Sequence, residues 1–155
     1  MAAISPAKKL MTVPVFVDTN VFIYALDQVD LRKHQAARAW RAELWKSRRG
    51  RTSFQVLQEF FVNVTQKALS SREDARAEVR DLLAWNPVPV NALTLEYGWK
   101  IQYHYKLSFW DALIVAAAKQ ARCGYLLTED LQADQDIDGV VVVNPFRTAP
   151  ELLSE

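Results

Sequence analysis

Glycine and cysteine are scarce in this 155-residue chain: it has four glycines and a single cysteine, Cys123. One cysteine excludes an internal disulfide and fits a reducing compartment, so a cytoplasmic setting is expected. Only two histidines occur, His34 and His104, and no C-x-x-C or H-x-x-x-H spacing accompanies them, which argues against a zinc site. No G-x-x-x-x-G-K-[ST], G-x-G-x-x-G or G-x-S-x-G string is present, which argues against a phosphate-cradling loop and a serine nucleophile elbow. The longest apolar stretch, Ala112 to Ala118, is too short to cross a bilayer. Lys8 and Lys9 lead into Thr12 and Pro14, so no secretory segment is expected and no membrane partner is implied. Charge of one sign is also lacking: 19 Lys and Arg oppose 18 Asp and Glu, for a net +1. A nucleic-acid partner would therefore have to be held by a local patch.

What is present is a chain half apolar, long enough for one domain with a sizeable core. Val13–Val17 is a β-branched and aromatic run that reads as a buried strand, and a helix is expected to begin near Val21. Leu31–Arg48 has helical spacing and stops at Gly50. Ser53 is expected to cap a helix from Phe54 to about Ala68, and Ser70 with Glu73 has capping-box spacing for the next. A short strand is expected around Val88 and Val90. Ala92–Tyr105 and Phe109–Arg122 read as helices, the second capped by Ser108, ended by Gly124 and apolar on nearly every side. Tyr125–Thr128 and Val140–Val143 read as further buried strands. Strands separated by helices predict a mainly parallel sheet with helices on both faces, a three-layer α/β/α sandwich. The expected organisation is an N-terminal extension over residues 1–12, one domain over 13–147 and a C-terminal tail over 148–155.

In such sheets the ligand crevice lies beyond the carboxyl ends of the strands. Two apolar strands of this chain end in acid: one at Asp18, one at Glu129 and Asp130. Asp111 opens the apolar helix, and Glu59 lies inside the helix after Ser53. Carboxylates gathered in one place need positive charge to stay ionised. Mg²⁺ or Mn²⁺ meets that need, since both prefer oxygen ligands and keep waters. Each acid also has a plain local use. Asp18 can cap a helix, Asp111 can favour a helix dipole, Glu59 shares a polar stripe with Gln55 and Asn63, and Asp130 can serve a turn.

Four short motifs in order resemble the PIN-domain nucleases, and more closely the toxins of VapC-type toxin–antitoxin pairs. They are Val17-Asp18-Thr19-Asn20-Val21, Gln58-Glu59-Phe60, Ser108-Phe109-Trp110-Asp111-Ala112 and Leu127-Thr128-Glu129-Asp130-Leu131. Val143-Asn144-Pro145-Phe146 resembles the tail of such toxins. The resemblance implies a Mg²⁺- or Mn²⁺-dependent endoribonuclease. It puts Asp18, Glu59, Asp111 and Asp130 on the acidic quartet and Thr19, Asn20 and Thr128 on supporting positions. Glu129 competes with Asp130 for the last acidic place, and Asp134 is a candidate for a second metal or a water. Asp136 and Asp138 read as loop residues. The resemblance also implies a homodimer and a cognate antitoxin whose arginine could reach the carboxylates and displace metal. A housekeeping PIN nuclease and a catalytically silent binding module are the alternatives.

From Leu31 to Arg51 eight basic residues face Glu43 alone, a local charge of +7 that leaves −6 for the rest. Arg48, Arg49 and Arg51 are the candidate patch for RNA phosphates or for an acidic partner. Trp40 and Trp45 fall at helical spacing and are expected in the core. Trp99, Tyr103, Tyr105, Phe109 and Trp110 cluster around the entry to the apolar helix and are expected to pack the core or a dimer interface, with base stacking as a further use.

Overall fold

The computed structural model describes residues 13–154; the expected N-terminal extension, residues 1–12, lies outside them. The elements in chain order are β1 (Val15–Val17), α1 (Thr19–Tyr24), α2 (Leu31–Ser47), β2 (Gly50–Arg51), α3 (Phe54–Gln66), α4 (Arg72–Leu82), α5 (Ala92–Tyr105), α6 (Phe109–Gln120), β3 (Tyr125–Leu127), β4 (Asp136–Ile137), β5 (Val140–Val143) and α7 (Glu151–Ser154). A 3₁₀ turn, Leu83–Trp85, follows α4. The sheet runs β2-β1-β3-β5-β4. All pairs are parallel except β4 with β5. Val17 is in register with Leu127, and Leu127 with Val143, so three strands end together. A mainly parallel sheet flanked by helices is the predicted class.

The three central strands consist of apolar residues, nearly all of them buried, as strands covered on both faces must be. Trp40 of α2 is 1% exposed. Its indole Nε1 donates to the carbonyls of Pro145 (3.2 Å) and Thr148 (2.9 Å), which ties α2 to the segment after β5. Leu153 of α7 joins the same core. Helix starts follow side-chain capping: Asp18, Asp30, Ser53, Ser71, Asn91 and Ser108 each accept a backbone N–H of the first turn.

Several expectations are corrected. Ser71, not Ser70, caps α4, because its hydroxyl is the one that meets the Asp74 N–H. Gly50 does not stop α2: Arg48 takes the left-handed turn (φ 58°), and Gly50 enters β2, where a Cβ would lie 2.6 Å from the Trp85 ring. Gly124 does not stop α6 either; Arg122 is left-handed (φ 58°), and Gly124 is needed because a Cβ there would meet Val13 at 2.3 Å. The Val88 strand is a single bridge to Ser53, since Pro87 and Pro89 lack the N–H groups a ladder requires. Asp136 is in β4, paired through a hairpin whose turn residues, Asp138 (φ 51°) and Gly139 (φ 92°), both adopt positive φ.

Candidate active site

Asp18 leaves β1 at the rim where β3 and β5 also end. Its N–H donates to Leu127 O (3.1 Å), and Thr128 N donates to Val143 O (3.0 Å), so the ladder continues one step into the site. Asp18 caps α1: its Oδ1 accepts the Thr19 N–H at 2.7 Å. The cap and the site are one residue, because a capped helix springing from a strand end pins the carboxylate at the crevice. Asp18 Oδ2 accepts the Thr128 hydroxyl at 2.9 Å. The Asn20 amide nitrogen lies 3.0 Å from Thr128 Oγ1, 3.0 Å from Asp130 Oδ2 and 3.5 Å from Asp18 Oδ2. Asp130 is aimed by its own N–H, which donates to Thr128 Oγ1 at 3.1 Å.

Glu59 arrives from α3. Its Oε2 accepts the Thr19 hydroxyl at 2.6 Å and its Oε1 accepts Gln55 Nε2 at 3.0 Å. Gln55, one helical turn before Glu59, was visible in the sequence only as part of a polar stripe; the fold shows that it orients the carboxylate. Asp111 opens α6, where Ser108 Oγ accepts its N–H at 3.1 Å. The Asp111 charge acts on Asp130.

The structure brings Asp18, Thr19, Asn20, Glu59, Thr128 and Asp130 into one hydrogen-bonded cluster, with Asp111 in electrostatic range. Asp134 follows in the next turn: it is exposed, its N–H donates to Val142 O at 2.8 Å and its φ is 68°. Glu129 makes no hydrogen bond to the cluster and pairs with Lys33 at 2.8 Å, while its charge, like that of Asp111, acts on Asp130.

Burial pushes the Asp18 carboxyl up to about 7 from its ordinary 3.8, and the charges of Asp130 and Glu59 add to that rise against the bonds from Thr19 and Thr128. Asp130 is also raised, first by burial and then by the charges of Glu129, Asp111 and Glu59, against the Asn20 bond. Such a cluster favours a cation. A second sign is Asn20 Oδ1, a buried acceptor with no hydrogen-bond partner, beside the two aspartates. The donor set is all oxygen, which suits Mg²⁺ or Mn²⁺ rather than zinc. Among the described residues no three acid, histidine or cysteine side chains stand close enough together to hold a metal ion by themselves.

The candidate basic patch is divided. β2 is parallel to β1, with Gly50 opposite Val15, so Arg48 and Arg49 enter at the amino ends of the strands, the rim opposite Asp18. Arg49 is buried, and its Nε donates to Val13 O at 3.0 Å. Arg51 donates to the carbonyls of Arg48 and Gly50. Only Arg48 of the three faces solvent without such a tie. Trp45 is half-exposed rather than core, and Trp99, Tyr103 and Trp110 are exposed as well. Periodicity assigned Trp45 inward, but the inner face of α2 is filled by His34, Ala37, Trp40 and Leu44.

The PIN domain family model matches residues 15–135. No curated protein matches the chain. Among solved structures, a toxin–antitoxin complex from Klebsiella pneumoniae is similar at 24% identity and TM-score 0.61, covering 84% of this chain and 97% of that one. The VapC20 toxin of Mycobacterium tuberculosis, described as cleaving the sarcin–ricin loop, is similar at 24% identity and TM-score 0.56 over 72% of this chain and 86% of its own. VapBC2 from Rickettsia felis, bound to a DNA fragment from its promoter, is similar at 15% identity and TM-score 0.56 over 83% and 96%.

Proposed function

The chain belongs to the PIN domain family, and from that premise we propose that it is a Mg²⁺- or Mn²⁺-dependent endoribonuclease acting as the toxin of a toxin–antitoxin pair in the cytoplasm. The observation that carries this reading is the convergence of Asp18, Glu59 and Asp130 through Thr19, Asn20 and Thr128, with the Asp111 charge acting on Asp130. Asp18, Asp111 and Asp130 would hold the metal, and Glu59 would hold it or orient a water. Bound there, the ion would offset the negative charge of the carboxylates and of an RNA phosphate and favour ionisation of an attacking water. The protein's own work is positional. Thr128 and Asn20 fix the facing oxygens of Asp18 and Asp130, and Thr19 and Gln55 hold both oxygens of Glu59, so the carboxylates need little reorganisation when charge develops.

Likeness of fold to toxin–antitoxin structures supports an antitoxin partner, and the exposed Trp99, Tyr103 and Trp110 support a second copy of the chain. The exposed basic residues of α2, Arg32, Arg38 and Lys46, are the better candidates for RNA phosphates than Arg49 and Arg51. The test is incubation with total RNA, with and without chelator, followed by mapping of new 5′ ends. Discrete ends that vanish with chelator and with Asp18→Asn are expected. Cleavage that survives both would overturn the reading.

A further inference from the structure

Glu129 and Asp130 are neighbours in the chain but serve different partners. Asp130 accepts from Asn20, inside the cluster; Glu129 accepts from Lys33 Nζ at 2.8 Å, outside it. Lys33 is held from two further sides. Its Nζ lies 4.9 Å from the centre of the Tyr24 ring and 5.1 Å from that of Phe146, and the two rings meet edge-on with centroids 5.1 Å apart. These four residues come from four segments: the end of α1, the first turn of α2, the loop after β3 and the turn after β5. Phe146 is itself fixed by its N–H, which donates to Asn144 Oδ1 at 2.9 Å. The Glu129 carboxylate, the Tyr24 hydroxyl (3.5 Å) and two aromatic rings thus surround the ammonium.

We propose that Lys33 is a positioning residue for Asp130: seated on Tyr24 and Phe146, it binds the Glu129 carboxylate and keeps it from Asn20, so that Asp130 alone of the two neighbouring acids enters the cluster. The inference rests on the nuclease reading above. Without the Lys33 charge, Glu129 becomes a free carboxylate one residue from Asp130. Asn20 Nδ2, already within 3.5 Å of three oxygens, two of them from carboxylates, cannot hold a third carboxylate in the same place. A half-exposed ion pair contributes little to stability. A displaced reacting group costs much more in rate. Lys33 therefore acts on turnover more than on folding.

The experiment compares Lys33→Met, Lys33→Arg, Glu129→Gln and the Lys33→Met/Glu129→Gln double variant. Methionine keeps the packing on the rings and removes the charge. Lys33→Met is expected to lower kcat about tenfold with KM changed by less than about twofold. Lys33→Arg restores the pair and recovers activity. The double variant cleaves better than Lys33→Met alone, because the unpaired acid is gone. A second readout needs neither metal nor RNA: the Asn20 side-chain amide signal in a ¹H–¹⁵N spectrum moves in Lys33→Met and returns in the double variant. An unmoved amide signal, or a double variant no better than Lys33→Met, overturns the proposal even if the melting temperature falls. If the wild type cleaves no RNA, the nuclease reading fails, and the amide signal still decides the role of the pair.

Discussion

Asp18→Asn is expected to abolish cleavage and at the same time stabilise the metal-free protein at neutral pH. The wild-type carboxyl sits at about 7 in the fold and near 3.8 when unfolded. Between those values the folded state binds the extra proton, so stability falls as pH rises through that window and the full cost is present above pH 7. A difference of about three pKa units corresponds to at most about 4 kcal/mol. Asparagine cannot ionise, so it escapes that cost. It also loses something, because its single side-chain oxygen cannot accept both the Thr19 N–H (2.7 Å) and the Thr128 hydroxyl (2.9 Å), and one such bond is worth about 1 kcal/mol. The net gain at pH 8 in chelator is then about 1–3 kcal/mol, or roughly 2–10 °C in melting temperature for a chain of this size. Differential scanning fluorimetry at pH 4, 6 and 8 checks it. The gap should shrink to below about 1 kcal/mol at pH 4, where the wild type is protonated. Added Mn²⁺ should raise the melting temperature of the wild type and not of the variant. A variant no more stable than wild type at pH 8, or a gap independent of pH, would refute the reasoning about Asp18.

Three further outcomes are expected. Glu59→Gln keeps one of the two bonds to Thr19 and Gln55, so it should fold normally and weaken Mn²⁺ binding about tenfold or more by calorimetry. Arg49→Ala should cost about 1–2 kcal/mol in urea unfolding, because the half-buried Val13 carbonyl loses this donor, while the salt dependence of RNA affinity stays unchanged. Gly50→Ala should destabilise by about 1–3 kcal/mol, since its Cβ would press on the buried Trp85 ring.

The sheet class, the long helices and the acids at the strand ends could be read from the sequence, because each is a local pattern: β-branched runs, helical spacing, a capping residue followed by apolar residues. The hairpin carrying β4 had a local signal too, Asp138-Gly139, whose positive φ values fit a tight turn. The two-residue strand β2 had none, since Gly50-Arg51 is ordered only by its neighbour β1.

Local pattern by itself therefore determined which acids cap helices and end strands, and the order in which they occur. Tertiary structure decided their partners. Glu59 meets Thr19 across 40 residues and Asn20 meets Asp130 across 110. Only the fold turns Asp130 toward Asn20 and Glu129 toward Lys33, or makes Arg49 a backbone prop on the rim away from the acids. The physical reason is that a residue's type and spacing fix its local geometry, whereas its charge and hydrogen bonds are settled by whichever distant segments the sheet register sets beside it.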